Sequence, residues 1–166
     1  MALPASLSSR QLFALIAIII AGLYGYALYE QHVNGLEPCP LCMTQRLFYA
    51  LAGVAALLAA IHHPGQTGRR IYAALVALSA SGGAAVAGRQ VWLQHLPPEL
   101  VPACGPSLEY MLETLPFTDV LTRVVQGDGN CALVDWSFLG LSMAEWSLAW
   151  FIAIAALACW LLVRRR

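Results

Sequence analysis

Four long apolar stretches divide this chain of 166 residues. They occupy residues 12–29, 44–61, 71–92 and 146–163, and each approaches the roughly 20 apolar residues that a helix needs to cross a bilayer. Backbone groups cannot stay unpaired in lipid, so segments of this kind cross as α-helices. The sequence therefore predicts an all-α membrane protein: one integral domain over residues 1–166, with four transmembrane helices and two larger loops at about 30–43 and 93–145.

The composition agrees with this class of protein. Hydrophobic residues make up 60% of the chain and charged residues 11%, against roughly a quarter charged in soluble domains. The formal net charge is zero and all nine basic residues are arginine, so there is no basic field with which to bind nucleic acid. We therefore exclude a nucleic-acid partner and expect a lipid bilayer as the environment.

The first apolar stretch begins close to the N-terminus, so a cleaved signal peptide is an alternative, with Gly25-Tyr26-Ala27 as the cleavage site. The stretch is, however, longer than the roughly 7 to 15 residues of a signal core, and only Arg10 precedes it. We expect it to be retained as a span.

The arginines predict the orientation, because basic residues of short loops stay on the cytoplasmic side. If four helices cross, Arg10, the Arg69-Arg70 pair and residues 164–166 fall on one side, which places both termini in the cytoplasm. The two larger loops on the other side, expected to be periplasmic, hold all nine carboxylates. The bias is clear without being absolute, since three arginines lie toward that second side: Arg46, Arg89 and Arg123.

Two local patterns predict how the bundle is built. Residues 62–70 contain Pro64 and Gly65, which break a helix, so the second and third spans should form a hairpin. In the third span Ser79, Gly83 and Ala87 recur every four residues, which lets a neighbouring backbone approach closely in lipid. A compact up-down-up-down bundle follows.

A further pattern lies in the second loop. Its apolar residues recur at i, i+3, i+4 and i+7, and Pro106 suits a helix start. We expect a short amphipathic helix that lies along the membrane surface or covers the end of the bundle. The four apolar positions are Leu108, Met111, Leu112 and Leu115, with Glu109 and Glu113 on another face.

Four of the five cysteines lie in the two acidic loops, on the side where disulfides can persist. Cys39-Pro40-Leu41-Cys42 is a Cys-x-x-Cys motif, a spacing that can form a small reducible disulfide. Cys104 and Cys131 are separated by 26 residues of loop punctuated by Pro and Gly, which could let one cysteine move toward another partner. Cys159 lies inside the last span, and we assign it no chemistry.

Two other interpretations of the loop cysteines stay open at this point. One is a pair of permanent disulfides that brace the loops of a membrane scaffold. The other is a zinc site, although zinc sites favour two short spacings and the second pair is widely separated. The first pair lies directly above a span whose apolar core, residues 47–61, has only 15 residues, and this position favours a redox role.

Because that core is short, we place the start of the second helix near Met43 or Thr44, with Arg46 in the headgroup region one turn below Cys42. An ionisable side chain at the membrane edge is costly to desolvate without a partner, so it indicates a functional site. The guanidinium could stabilise a thiolate or an acceptor that gains electrons. The alternative is that Arg46 only extends to lipid phosphate.

Together these motifs resemble the DsbB family of disulfide bond formation proteins. The resemblance rests on Gln31-His32-Val33 before Glu37-Pro38-Cys39-Pro40-Leu41-Cys42, on Arg46 four residues later, and on the second cysteine pair. It extends to residues 90–95 and to Trp136-Ser137-Phe138-Leu139-Gly140-Leu141 before Glu145-Trp146, and so covers essentially the whole chain.

The resemblance implies a quinone-dependent thiol:disulfide oxidoreductase of the bacterial inner membrane, with no metal. Cys104 would be attacked by a reduced, periplasmic, thioredoxin-fold partner similar to DsbA, and Cys131 would be its partner in the loop. Electrons would then pass to Cys39, with Cys42 facing a membrane quinone, either ubiquinone or menaquinone.

Two further positions match residues that the family links to quinone binding, namely Arg46 and His95. Departures are few: Gln94 stands where some relatives carry an acid, and Pro97-Pro98 follows. The related vitamin K epoxide reductase family shares a four-helix core and a Cys-x-x-Cys, so the fold alone does not separate the two. In this chain the motif precedes the second span, as in DsbB.

Overall fold

Four long helices form a bundle in the computed structural model, which describes residues 8–105 and 108–164. They are α1 (Ser9–His32), α2 (Pro40–His62), α3 (Gln66–Gln94) and α6 (Met143–Val163). Each is long and apolar enough to cross a membrane. The predicted four-helix membrane bundle is confirmed.

The segment between α3 and α6 folds into short elements. In chain order these are a 3-10 helix at Pro98–Leu100, α4 (Leu108–Thr114), α5 (Phe117–Gln126), a 3-10 helix at Gly129–Ala132, and strands β1 (Ser137–Phe138) and β2 (Leu141–Ser142). The two strands pair antiparallel through Leu139 and Gly140, both with the positive φ that a tight two-residue hairpin requires. This hairpin is a small departure from the predicted all-α fold.

Helix α2 begins earlier than the sequence indicated. Cys39 is its N-cap, and Pro40 takes the first helical position, where its fixed φ and missing N–H are favourable. The expected start near Met43 or Thr44 is wrong because it followed the apolar run and ignored the signal from Pro40. The correction places Cys42 inside the first turn of the helix.

The hairpin between α2 and α3 is confirmed, but its turn is shorter than residues 62–70. Only residues 63–65 separate the two helices, and His63 ends α2 in the left-handed conformation, with φ of 44°. Helix α3 begins at Gln66, so Arg69 and Arg70 are helical.

The centre of the bundle is built around α3, which packs against both α2 and α6. A Cβ atom on Gly83 would lie 2.3 Å from the ring of Phe151, which is wholly buried and stacks on Tyr49 with ring centroids 3.9 Å apart. The close approach predicted for this stripe is confirmed at Gly83 and Ala87, which are both buried, while Ser79 is half-buried.

The second loop contains two helices where the sequence predicted one. Met111 of α4 is buried against Val120 and Val124 of α5, and Leu115 packs beside them, whereas Leu112 is exposed. Helix α5 in turn contacts α2, which places the pair near one end of the bundle. The expected start at Pro106 lies outside the described residues.

Arginines tie together the opposite end of the bundle. Arg10 Nε donates to the carbonyl of Ala60 at 3.1 Å, and Arg69 Nη1 donates to Ser9 Oγ at 3.5 Å. A second nitrogen of Arg69 donates to the carbonyl of Arg164. The start of α1 and the end of α6 therefore meet at one end, and the loop cysteines lie at the other.

Candidate redox site

The first cysteine pair is organised by the start of α2. Cys39 is buried and Cys42 is half-buried, and their Sγ atoms are 3.1 Å apart. The N–H of Cys42 donates to Cys39 Sγ at 3.4 Å, so the sulfur takes the place of the oxygen that usually caps a helix. Both sulfurs therefore lie at the positive end of the helix dipole.

Cys131 lies directly against this pair. Its side chain is wholly buried and packs with Cys39, Leu41 and Leu93. The loop reaches this position because Gly127, with φ of 72°, crosses the ends of α2 and α3. A Cβ atom there would lie 2.7 Å from Leu93 and 2.9 Å from Leu41, so no larger residue fits without a shift.

Cys104 lies beside the turn that carries Cys131, but it is exposed. One carboxylate holds the two segments together: Asp128 Oδ2 accepts from the N–H of Gly105 at 3.2 Å, and Asp128 Oδ1 accepts from the N–H of Cys131 at 3.3 Å. A Cβ atom on Gly129 would lie 3.1 Å from Cys104 Sγ. The structure thus gathers all four loop cysteines at one end, while Cys159 is apart from them in α6.

The contact between Cys39 and Cys131 shifts the pKa values of the two thiols in opposite directions. The Cys39 thiol is hydrogen-bonded to the sulfurs of Cys131 and Cys42, and these bonds, together with burial, raise the pKa of Cys39. The hydrogen bond from Cys39 lowers the pKa of Cys131, assisted by backbone hydrogen bonds from Asp128 and Leu41. Of the two thiols, Cys131 is therefore the one that ionises more readily.

Two buried glutamines complete the surroundings of the sulfurs. Gln90 Nε2 lies 3.3 Å from Cys42 Sγ and 3.6 Å from Cys39 Sγ. Gln45 Nε2 donates to Gln90 Oε1 at 2.7 Å, and each glutamine is only 5% exposed. Sequence reasoning gave these residues no role, although polar side chains inside apolar spans are themselves a signal of function.

A cavity of about 530 Å³ opens beside Cys42. It lies between the ends of all four long helices and is closed on one side by residues 130–138. Its wall is mainly apolar and aromatic, with a few polar groups, which is the usual character of a small-molecule site. The wall includes Cys42, Arg46, Tyr49, Trp136, Trp146 and Trp150.

Arg46 is half-buried in this wall, one helical turn after Cys42. Its Nη2 donates to the carbonyl of Ala27 at 3.0 Å, and its Nη1 donates to Gln31 Oε1. Both partners are neutral groups of α1, so the positive charge is oriented by these contacts without being neutralised by them.

His95, which the resemblance links to quinone binding, lies at the surface. Its side chain is 68% exposed, and its Nε2 lies 4.0 Å from Glu145, while its Nδ1 donates a 2.8 Å hydrogen bond to the carbonyl of Val91. Gln94, one residue earlier, lines the cavity, whereas His95 is not part of its wall. A role for His95 in binding stays a prediction.

Within residues 8–105 and 108–164, no three His, Cys, Asp or Glu side chains are grouped as metal ligands would be. The fold and the site together define a class, that of multi-pass membrane proteins with a cysteine pair beside an apolar cavity.

Comparison with known proteins identifies the family within this class. The family described as "Disulfide bond formation protein DsbB" matches residues 9–161. The chain is 52% identical over 163 residues to "Disulfide bond formation protein B" of Hahella chejuensis, covering 98% of this chain and 99% of that protein. It is 51% identical over 146 residues to "Disulfide bond formation protein B 1" of Pseudomonas aeruginosa, covering 88% and 90% respectively.

This chain belongs to the DsbB family of bacterial membrane proteins. It is a disulfide oxidoreductase that acts in disulfide bond formation, and the predicted family and activity class are confirmed.

Proposed function

We propose that this protein reoxidises a periplasmic, thioredoxin-fold dithiol protein similar to DsbA, by passing two electrons through its four loop cysteines to a membrane quinone. The observation that carries the proposal is the unbroken series of sulfurs that ends at the cavity. Cys131 contacts Cys39, Cys39 Sγ is 3.1 Å from Cys42 Sγ, and Cys42 forms part of the cavity wall.

The cavity suits a quinone ring. An apolar and aromatic wall can enclose the ring and the first part of its isoprenoid tail, and a volume of about 530 Å³ falls within the usual range for small-molecule sites. Cys42 and Arg46 would hold the reactive end of the ring. A bound quinone supplies a two-electron, two-proton acceptor, in the form of either ubiquinone or menaquinone.

The exposed cysteine, Cys104, reacts with the partner first, and the less exposed cysteines follow. A thiolate of the partner attacks Cys104, the exposed sulfur of a Cys104–Cys131 disulfide, and Cys131 leaves as a thiolate. The second thiolate of the partner then attacks the partner's own sulfur in this mixed disulfide. The partner leaves oxidised, and Cys104 and Cys131 remain reduced.

The second exchange joins the two loops. The Cys131 thiolate attacks Cys39 of a Cys39–Cys42 disulfide, which frees Cys42 as a thiolate beside Arg46. Cys104 then attacks Cys131, which restores the first disulfide and releases Cys39. Reoxidation of Cys39 and Cys42 closes the cycle: two electrons and two protons leave the partner dithiol, and one quinone becomes one quinol.

We further propose that the protein lies in the inner membrane with both termini in the cytoplasm and the cysteine loops in the periplasm. The grouping of Arg10, Arg69 and Arg164 at one end of the bundle supports this orientation, because arginines of short loops stay in the cytoplasm.

The first test is turnover by the purified protein in detergent. Supplied with a reduced thioredoxin-fold dithiol protein and ubiquinone or menaquinone, it should form quinol, followed by absorbance, and Cys42→Ser should abolish this turnover. Cys159→Ser is the matched control and should retain it. Absence of turnover with both quinones, in protein shown to be folded, would favour the scaffold with permanent disulfides.

The arginine is tested in the same assay. Arg46→Ala should raise the KM for quinone, because the cavity loses its cation. Arg89→Ala is the control, since Arg89 stacks over Trp92 and donates to Gln126 without lining the cavity. Equal quinone affinity in the two variants would remove Arg46 from the site.

Entry of electrons is tested at the other end of the relay. Cys104→Ser should abolish reaction with the dithiol partner and leave quinone binding intact, because Cys104 is exposed and lies outside the cavity wall. Partner oxidation that persists in this variant would show that another cysteine is attacked first.

A further inference from the structure

The amide of Gln90 lies where a thiolate would need a hydrogen-bond donor. Its Nε2 carries two hydrogens and has the sulfurs of Cys42 and Cys39 at 3.3 Å and 3.6 Å. The amide is buried, so solvent does not compete for these hydrogens. A thiolate has only lone pairs to offer and can therefore only accept a hydrogen bond.

The direction of this amide is fixed by a second residue. Gln90 Oε1 accepts from Gln45 Nε2 at 2.7 Å, which turns the NH₂ group toward the sulfurs. The same Oε1 is 3.5 Å from Cys42 Sγ, so a protonated Cys42 has an acceptor for its S–H. The amide can thus accept a hydrogen bond from the Cys42 thiol through Oε1 or donate one to the Cys42 thiolate through Nε2.

We propose that Gln90 is a catalytic residue that stabilises the Cys42 thiolate by donating a hydrogen bond to it, and that Gln45 is a positioning residue that orients the Gln90 amide. The inference rests on the proposed function in giving Cys42 a thiolate state to stabilise. Cys39 and Arg46 are the ionisable side chains that act most directly on Cys42, with Cys131 behind Cys39. Glu30, Glu37, Tyr49 and Asp135 line the same cavity. Gln90 and Gln45 are uncharged, and they add hydrogen bonds to the effect of these groups.

The test measures ionisation without quinone or partner. The reduced full-length protein in detergent is alkylated with iodoacetamide over a pH series, and each cysteine is followed by peptide mass spectrometry. The midpoint of the pH profile reports ionisation of Cys42, and the plateau at high pH reports its accessibility. Gln90→Leu should move the Cys42 midpoint upward by about one pH unit, a tenfold loss of thiolate at a given pH below it.

Two variants keep the test informative if Gln90→Leu fails to fold. Gln90→Glu preserves shape but puts a carboxylate beside the sulfur, and should also raise the midpoint. Gln45→Leu should raise it by less, because the Gln90 amide remains but can rotate. Gln66→Leu, the same substitution at an exposed position of α3, is the control and should leave the midpoint unchanged.

The midpoint and the plateau of the alkylation profile distinguish stabilisation of the thiolate from a purely structural role. A purely structural role for Gln90 would change the plateau, or the profile of exposed Cys104, without moving the Cys42 midpoint, and that result would overturn the inference. An unchanged midpoint in both Gln90→Leu and Gln90→Glu would overturn it as well. A shifted midpoint in a protein that reduces no quinone would retain the inference and reject the proposed function.

Discussion

Burial separates the two cysteines of the second pair. Cys104 is exposed, whereas Cys131 is wholly buried against Cys39. The two sulfurs of this pair are therefore accessible to different molecules: Cys104 to molecules in the solvent, and Cys131 to the cysteines of the first pair. In thiol exchange the thiolate is the nucleophile, so the lowered pKa of Cys131 and the raised pKa of Cys39 give this contact a direction.

These opposite pKa shifts predict the order in which the two thiols ionise. As pH rises in the reduced protein, Cys131 should ionise before Cys39, because its pKa lies below the ordinary value of a thiol and that of Cys39 lies above it. Cys39→Ala removes the hydrogen bond to the Cys131 thiolate and should raise the pKa of Cys131 by about one to two units, since bonds to charged groups contribute about 1.5 to 3 kcal/mol.

The measurement is alkylation of Cys131 as a function of pH, read from the midpoint so that easier access does not matter. Cys159→Ala is the matched control, because Cys159 lies in α6 away from the pair. Ionisation of Cys39 before Cys131 in the unaltered protein would contradict the expected order of their pKa values.

Among the elements, α3 determines how close the helices come. Helix α6 contacts it at Gly83, where the ring of Phe151 occupies the space that a side chain would need. Phe151 cannot turn away easily, because it is wholly buried and its other face stacks on Tyr49. Gln90 lies two turns further along the same helix, so this packing also sets the position of the amide beside the sulfurs.

Gly83→Ala should therefore destabilise the bundle. Overpacking of a filled core costs about 1 to 3 kcal/mol, which for a chain of this size lowers the Tm by several degrees. Gly88→Ala is the control on the same helix, since a Cβ atom there meets nothing within 4 Å. Thermal unfolding in detergent, followed by circular dichroism, compares the two. Equal Tm values would show that the contact with Phe151 yields at little cost.

The elements also show which features a sequence can predict. The four spans are visible as apolar runs, and the Cys-x-x-Cys motif is visible as a spacing, because both depend on neighbouring residues. The start of α2 was also within reach, since Pro40 at the first helical position is a local signal. The spacing of Val120 and Val124 could likewise have indicated α5, which packs its buried valines on α4.

Features that depend on tertiary contacts could not be predicted in this way. Four loop cysteines allow three pairings, and nothing local shows that Cys131 lies against Cys39. The orientation of Gln90 depends on Gln45, which is 45 residues away in the chain. The hairpin at Leu139 was missed because leucine rarely adopts positive φ and gives no turn signal.

At the scale of the whole molecule, the bundle has two chemically different ends. One end carries Arg10, Arg69 and Arg164 and both ends of the described chain, and the other carries the loop cysteines and the cavity. This polarity agrees with the proposed orientation.

The orientation can be measured with single cysteines placed in a cysteine-free chain. Asp119→Cys, in the second loop, should react in intact cells with a thiol reagent that crosses the outer membrane only. Thr67→Cys, in the first turn of α3, should react only after the inner membrane is broken. Both positions are exposed, so access to the reagent is matched. The reverse labelling pattern would place the cysteine loops in the cytoplasm.

The differing exposure of the loop cysteines determines which kind of molecule can reach each sulfur. A free thiol dissolved in water can reach the exposed Cys104, but Cys131 is wholly buried, and Cys39 and Cys42 line a cavity with a mainly apolar wall. In the proposed relay the two ends therefore face different solvents. The protein then lets a water-soluble donor reduce a lipid-soluble acceptor across the boundary between water and lipid, and neither molecule has to leave its own phase.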